Sequence, residues 1–485
     1  MKSYTFLFFI SFLLPPFLFA QSKLSKAIET FVKDPALSSA SVGVSVISVE
    51  SGKEIAAYNS RKSLTPASAM KVLTTGAALK ILGADFRFQT KLEYDGYIDA
   101  HGNLIGNLYI TGMGDPTLGS PDFKGLPTWA ALLKLFCDKV KKAGILNIAG
   151  QVVGDAAYFA TQGVGHTWAY EDLGNYYGAG AYGLNVLENK YYLHLQQNSR
   201  EGANPKIIKT TPKIPGLLLI NELHSAPKGS GDNAYIFGAP QTYTCYVRGT
   251  IPVGKKIFTI KGAIPDPPLY AAQSLMEALE EQGINTHCEA AAKWQTNKQI
   301  PNKRHTLYSY QSPALKSIVQ RCNMKSVNLY CEAMLRMMGK KKKSDGTPEA
   351  GLEVLIDFWK AKGLPIQGLF LEDGSGLSPY NALTAQHLAL AMRLIFKEED
   401  WRNDFEASLP LAASSGALKH RFKGSKAQNN LRAKSGGLNR VRSFTGWVKN
   451  AQGKQVTFAI MVNNYIGEAS YILRKMETLM ISFSE

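Results

Sequence analysis

The stretch TPASAMKVLTTGAALKILG, residues Thr65 to Gly83, decides how the rest of the chain is read. Pro66 suits the first turn of a helix and Gly83 its C-terminal stop, so the segment is expected to be one helix. Ser68 and Lys71 stand three residues apart, which places both side chains on one side of that helix. A serine hydroxyl is a poor nucleophile until a base takes its proton. A lysine can be that base when burial and neighbouring charge lower its proton affinity. A helix N-terminus adds N–H groups and positive potential for a developing oxyanion. The spacing alone is weak, because Ser225-Ala-Pro-Lys228 repeats it. That copy holds a proline and lies between strand-like pieces. The bland alternative for Ser68 and Lys71 is a helix cap and a surface lysine.

Working outward, ASVGVSVISVE (Ala40–Glu50) alternates small or polar with β-branched residues, and EIAAYN (Glu54–Asn59) follows a Ser51-Gly52 turn. Both read as strands. A helix is expected near Ser25–Lys33. At the other end, SFTGWVKNAQGKQVTFAIMVNN (Ser443–Asn464) reads as a hairpin turning near Ala451–Gly453, and YILRKMETLMISF (Tyr471–Phe483) as a closing helix. Matching β texture at the two ends predicts one shared sheet. Between Phe86 and Tyr270 short β-rich pieces alternate with Gly- and Pro-containing turns, and Tyr270–Ile284 has an amphipathic helical pattern. From Tyr308 the chain is helix-rich, with Leu315–Gly339 and Gly351–Gly363 as the strongest helices. The expected organisation is a catalytic domain from residues 21–85 and 305–485, interrupted by a β-rich insertion, 86–304, of two nested subdomains.

Two further motifs lie downstream. Ser326-Val-Asn328 could pass a proton towards a leaving group through Ser326 and hold a substrate amide through Asn328. Lys434-Ser435-Gly436 precedes strand texture. A lysine and a hydroxyl on an edge strand could bind a terminal carboxylate, and the small Gly436 and Gly437 let an extended peptide approach the strand backbone. The plain alternatives are a helical serine with a capping amide, and a turn. In this order the three elements form the signature of penicillin-recognising serine enzymes. There is no GxSxG elbow and no histidine in a recognisable motif, so a Ser-His-Asp plan has no support.

From Ser68 to Ser326 is 258 residues, far more than in class A β-lactamases or the smaller carboxypeptidases. The chain resembles the D-alanyl-D-alanine carboxypeptidase/endopeptidase family of penicillin-binding proteins that contains DacB. The likeness extends to GMGDPTL (Gly112–Leu118), GDAAYF (Gly154–Phe159), the segment Trp168–Asn189, Ser312–Leu335, EDGSGLS (Glu372–Ser378), LRAKSGGLN (Leu431–Asn439) and FAIMVNN (Phe458–Asn464). It implies an α+β fold of the serine transpeptidase/β-lactamase type, an antiparallel sheet flanked by helices, with inserted β-rich domains. It implies that Ser68 attacks the bond between two D-alanines of a peptidoglycan stem peptide, with Lys71 as base and Ser326 as proton relay. Asn328 would orient the acyl side, and Lys434 and Ser435 would hold the carboxylate. The N–H groups of Ser68 and Gly437 would form the oxyanion hole. Asp172 and Tyr177 are candidates for a substrate side-chain pocket. β-Lactams would be trapped covalently at Ser68. The chain departs from the family's K-T-G-T at Ser435 and Gly437. It has Pro379 where many relatives carry an arginine after DGSGLS, which leaves the third stem residue open. A β-lactamase, and a non-catalytic wall-binding protein, are the competing functions.

The remaining features concern location. Lys2 is followed by an apolar run to Ala20, interrupted by Pro15 and Pro16, which reads as a signal peptide over residues 1–20 rather than a membrane anchor. Periplasmic or other extracytoplasmic action is expected. The net charge of +17 fits peripheral association with anionic membrane or wall polymers, and export argues against nucleic acid. The Lys340–Lys343 run reads as a solvated loop or helix end. The five cysteines have no CxxC spacing and the eight histidines no HExxH spacing, so no metal and no cofactor are expected. An odd cysteine count leaves at least one thiol unpaired.

Overall fold

The computed structural model describes residues 16–296 and 303–485. Most of the expected signal peptide, residues 1–15, lies outside the described residues. Pro16–Ala20 already belong to the first helix, α1 (Pro16–Val32), which begins earlier than the expected Ser25.

Both ends of the chain build one five-stranded antiparallel sheet, with β1 (Ser41–Ser48), β2 (Glu54–Tyr58), β3 (Arg432–Leu438), β4 (Val441–Lys449) and β5 (Gln455–Asn463). The spatial order is β2-β1-β5-β4-β3, so β1 is clamped against β5 over its whole length, Ser41 opposite Asn463 to Ser48 opposite Val456. Six consecutive residues of β1 and eight of β5 are buried, because helices cover both faces and leave no solvent side to alternate towards. The closing helix, Ala469–Ser482, and α1 pack together on one face. On the other lies the helix Ala385–Lys397, against β1, β4 and β5. Strand β3 is an edge: Arg432 bridges to Leu411 at its start, and beyond that no further strand among the described residues pairs with its outer side.

Behind that face stands α2 (Lys71–Leu82). Its sequence is apolar or small on all sides, the pattern of a helix with no solvent face, and ten of its twelve residues are buried. The helices α3 (Leu315–Lys325), α4 (Asn328–Lys343) and α5 (Pro348–Ala361) surround it. Indole N–H groups of Trp359 and Trp401 reach the carbonyls of Leu73 and Gly76, at 3.2 and 3.0 Å. The expected helix from Thr65 is modified at its start: residues Ala67–Met70 form a 3-10 turn, and regular α-helix begins at Lys71. The expected single helix Leu315–Gly339 is two helices, α3 and α4, broken at Ser326 and Val327. The Lys340–Lys343 run closes α4, where positive charge suits the helix dipole.

Between α2 and α3 lies a β-rich region. A mixed sheet that includes Gln89–Tyr94, Leu108–Gly112 and Val152–Asp155 packs on the helix Pro267–Glu281. Residues 190–263 form two further sheets nested within it. The strand His305–Gln311, at the expected boundary near residue 305, pairs with Gln89–Tyr94 of the β-rich region. The β-rich region also holds a helix that the sequence reading lacks, Trp129–Lys142. The decoy Ser225 sits on a short strand, His224–Ala226, rather than between strands. No helix among the described residues is long and apolar enough to cross a membrane.

Candidate active site

The three motifs come from three separate places in the chain and converge at the start of α2. Lys71 is fully buried, and its Nζ lies 2.9 Å from Ser68 Oγ. Two acceptors hold Lys71 Nζ in place: Asn328 Oδ1 at 2.6 Å and the Ser375 carbonyl at 2.5 Å. The Asn328 amide donates in turn to the Tyr177 carbonyl at 2.7 Å. Lys434 is also buried, and its Nζ reaches Ser326 Oγ at 2.9 Å and the Ser435 carbonyl at 2.6 Å. Thus one lysine faces each candidate hydroxyl.

The backbone at both hydroxyls is unusual. Ala67 has φ +47° and Ser326 φ +59°. Non-glycine residues in this region cost about 1–2 kcal/mol each, and such strain persists where surrounding contacts fix it. At Ser326 the left-handed turn ends α3, and α4 starts two residues later. That break turns Ser326 towards Lys434 and Asn328 towards Lys71. Gly436 on β3 is the point of closest approach to the Ser68 turn: a Cβ there would lie 2.6 Å from the Ala69 nitrogen and 2.7 Å from the Pro66 carbonyl. Ser443 of β4 ties the same turn down by donating to the Pro66 carbonyl.

Burial, and then the positive charge of Lys71, push the Lys434 proton affinity down to about 7. Lys434 therefore gives up its proton more readily than an exposed lysine does. Glu332 lies buried behind the site, and burial together with Asp373 raises its carboxyl to about 7.

The loop Asp373-Gly374-Ser375-Gly376 supplies the carbonyl on Lys71, a role that the sequence left unassigned although EDGSGLS stood out as a segment. Asp373 organises it. Its Oδ1 accepts from the Ser375 and Gly376 N–H groups and Asn381 Nδ2, and its Oδ2 from the Ser378 N–H and the Trp168 indole. Asp373→Ala removes five hydrogen bonds to a buried carboxylate. It is expected to cost on the order of 3–5 kcal/mol and to slow reaction at Ser68 by releasing the Ser375 carbonyl. A melting temperature equal to wild type would contradict this.

The other candidates fall around this centre. Ser435 is half-buried on β3, and Gly437 is exposed at the edge. A Cβ at Gly437 would meet only Arg442, at 3.3 Å from Nη1. Asp172 and Tyr177 form a pair beside Asn328. Burial raises the Asp172 carboxyl, opposed by a hydrogen bond from Tyr177, and burial with the Asp172 charge raises the Tyr177 phenol. It is the carbonyl of Tyr177, not its ring, that touches Asn328. Pro379 is exposed beyond the Asp373 loop, where Thr65 Oγ1 donates to its carbonyl at 3.2 Å. All five cysteines are free thiols. Cys322 and Cys331 lie 3.3 Å apart, on α3 and α4 on either side of the Ser326 break. No group of metal-ligating side chains occurs among the described residues.

Comparison with known proteins points the same way. A D-alanyl-D-alanine carboxypeptidase of Actinomadura sp. (strain R39) is 26% identical over 462 residues, which cover 92% of this chain and 82% of that protein. The D-alanyl-D-alanine carboxypeptidase DacB of Haemophilus influenzae is 26% identical over 388 residues, 79% of this chain and 77% of that one. The crystal structure of penicillin binding protein 4 (dacB) from Haemophilus influenzae superposes with a TM-score of 0.79 at 24% identity, covering 95% of this chain and 98% of that one, and thereby shows the same fold. The sequence model of one family covers residues 24–480, and the chain belongs to that family, the D-Ala-D-Ala carboxypeptidase 3 (S13) family.

Proposed function

We propose that this protein is an exported serine-type D-Ala-D-Ala carboxypeptidase that acts on peptidoglycan stem peptides through an acyl-enzyme on Ser68. The observation that carries this reading is the buried Lys71 Nζ 2.9 Å from Ser68 Oγ, in a chain of the S13 family. Ser68 Oγ attacks the carbonyl of the penultimate D-alanine while Lys71 Nζ takes its proton. The oxyanion is held by the N–H groups of Ser68 and Gly437. The C–N bond then breaks, Ser326 delivers a proton to the departing amine from Lys434, and D-alanine leaves. Water completes the cycle by hydrolysing the ester. Lys434 and Ser435 hold the terminal carboxylate. Asn328 spends one amide hydrogen on Tyr177, and its second is free for the substrate amide. Asp172 and Tyr177 border the acyl side. The same chemistry cleaves a D-alanyl cross-link when the leaving amine belongs to a second stem peptide.

Two domains support this arrangement in our reading: a catalytic one from both chain ends, and an insertion of two nested subdomains between α2 and α3. Residues 1–20 serve as an export signal. The net charge of +17 favours peripheral contact with wall or membrane anions.

Mass spectrometry tests the reading. Incubation with penicillin is expected to leave a stable adduct on the peptide containing Ser68, and muropeptides are expected to lose a terminal alanine. Rapid release of hydrolysed penicillin would instead support a β-lactamase, and absence of any adduct a non-catalytic wall-binding protein. kcat/KM for D-alanine release should fall as pH rises through about 7, because Lys434 gives up there the proton it supplies through Ser326 and the charge that holds the carboxylate. A profile flat across that range would exclude this proton inventory.

A further inference from the structure

Beside Ser326 and Asn328 the surface opens into a cleft of about 440 Å³ between α3 and the nested part of the insertion. Six charged side chains line it: Asp122, Glu188, Lys190, Lys261, Arg321 and Lys325. Four of them neutralise one another. Lys190 Nζ lies 2.5 Å from Glu188 and 3.4 Å from Asp122. Arg321 pairs with Asp122 and lies 3.5 Å from Glu188. Glu188 is almost wholly buried and also accepts from the hydroxyls of Ser120 and Tyr330, at 2.7 Å each. Its charge is thus committed to the wall of the cleft.

Lys261 and Lys325 are the remainder. Both are exposed, and neither has a carboxylate within ion-pair distance among the described residues. The Lys261 ammonium lies 5.1 Å from the centre of the Tyr176 ring and 5.9 Å from that of Tyr192. Such ring contacts hold a cation at the wall without cancelling its charge. The cleft therefore carries two surplus positive charges next to the residue that orients the acyl half of the substrate.

We infer that this cleft is an anion subsite, which takes a carboxylate carried on the acyl side of the stem peptide. The inference rests on the carboxypeptidase reading above. A stem peptide can present that group from two sources: the α-carboxylate of a γ-linked glutamate, or a carboxylate on the side chain of the third residue. Lys261 and Lys325 bind it; Lys190 and Arg321, held by their acids, shape the walls.

Three synthetic peptides ending in D-Ala-D-Ala separate the possibilities. One has both acyl-side carboxylates replaced by amides, one frees only the glutamate carboxylate, and one places a carboxylate only on the third side chain. With the full chain at low salt, one of the two acidic peptides is expected to show kcat/KM about five-fold above the amide peptide, a gap that shrinks at high salt. The Lys261→Gln/Lys325→Gln variant should lose the gap, with its melting curve as the control for folding. The acidic peptide that shows the preference identifies the source. Equal kcat/KM for all three peptides, or a preference that survives in the variant, overturns the anion subsite and leaves the carboxypeptidase reading standing. If the wild type releases D-alanine from none of them, the carboxypeptidase reading itself fails and takes the subsite with it.

Discussion

Lys71→Ala is expected to slow penicillin acylation of Ser68 by about 10²–10⁴-fold, the range for loss of a positioned general base. Lys71 is the side chain placed on Ser68 Oγ, at 2.9 Å. Its neighbour cannot take its place. Lys434 is engaged with Ser326 and the Ser435 carbonyl. Removing the Lys71 charge also removes one of the two causes that lower the Lys434 proton affinity, so Lys434 holds its proton more firmly in the variant. The substitution has a structural cost as well. Asn328 Oδ1 and the Ser375 carbonyl each lose a donor, at about 1–3 kcal/mol apiece. Lys71→Arg separates the two effects. It keeps a cation and donors in the pocket but cannot accept a proton, so it should fold better than the alanine variant and still acylate slowly. Time courses with a fluorescent penicillin, beside melting curves, check both variants. Acylation within about three-fold of wild type in either would mean that another group activates Ser68.

What the sequence made legible was local pattern. The three motifs are short and fixed in spacing. The β1–β2 and β4–β5 hairpins announced themselves through alternation and turn residues, and the shared sheet followed from their similarity. What it hid depended on contacts between distant segments. The run Leu315–Gly339 has helical character throughout, and nothing in Lys-Ser-Val-Asn announces a stop. The break is made by Ser326 in a left-handed turn against Lys434, which is 108 residues away. Likewise, Asp373-Gly374-Ser375-Gly376 reads as a turn, and only the fold lays its carbonyl on Lys71. The helix Trp129–Lys142 is a different case. Its apolar residues Trp129, Leu132, Phe136 and Val140 are buried at helical spacing behind a Thr128 cap, so the signal was present within a region whose β texture masked it. The strand His305–Gln311 shows the reverse, since its place in the sheet of the β-rich region is set by a partner more than 200 residues earlier.

The two adjacent glycines of β3 should respond in opposite ways to the same added methyl group. Gly436→Ala drives a Cβ into Ser443 Oγ and places it 2.6 Å from the Ala69 nitrogen and 2.7 Å from the Pro66 carbonyl, the last two being backbone atoms of the turn that carries Ser68. Neither can swing aside as a side-chain tip would, and Ser443 pins the turn from beneath. The strand must move away from Ser68, carrying Lys434 and the Gly437 N–H with it. Displacements of about 1 Å in such a site cost about 100-fold in rate, and the overpacking itself costs about 1–3 kcal/mol. Gly437→Ala meets only the guanidinium end of Arg442, at 3.3 Å, and Gly437 has no positive φ to forbid a side chain. Its acylation rate should stay within about three-fold of wild type, because a flexible side chain can give way at little cost. Gly437→Thr, which restores the residue that the family signature carries there, should fold equally well. If Gly436→Ala acylates normally while Gly437→Ala does not, the tight contact between β3 and the Ser68 turn is not what sets the geometry of attack. If the expected order holds, Gly436 is required by the approach of two backbones, and Gly437 is not.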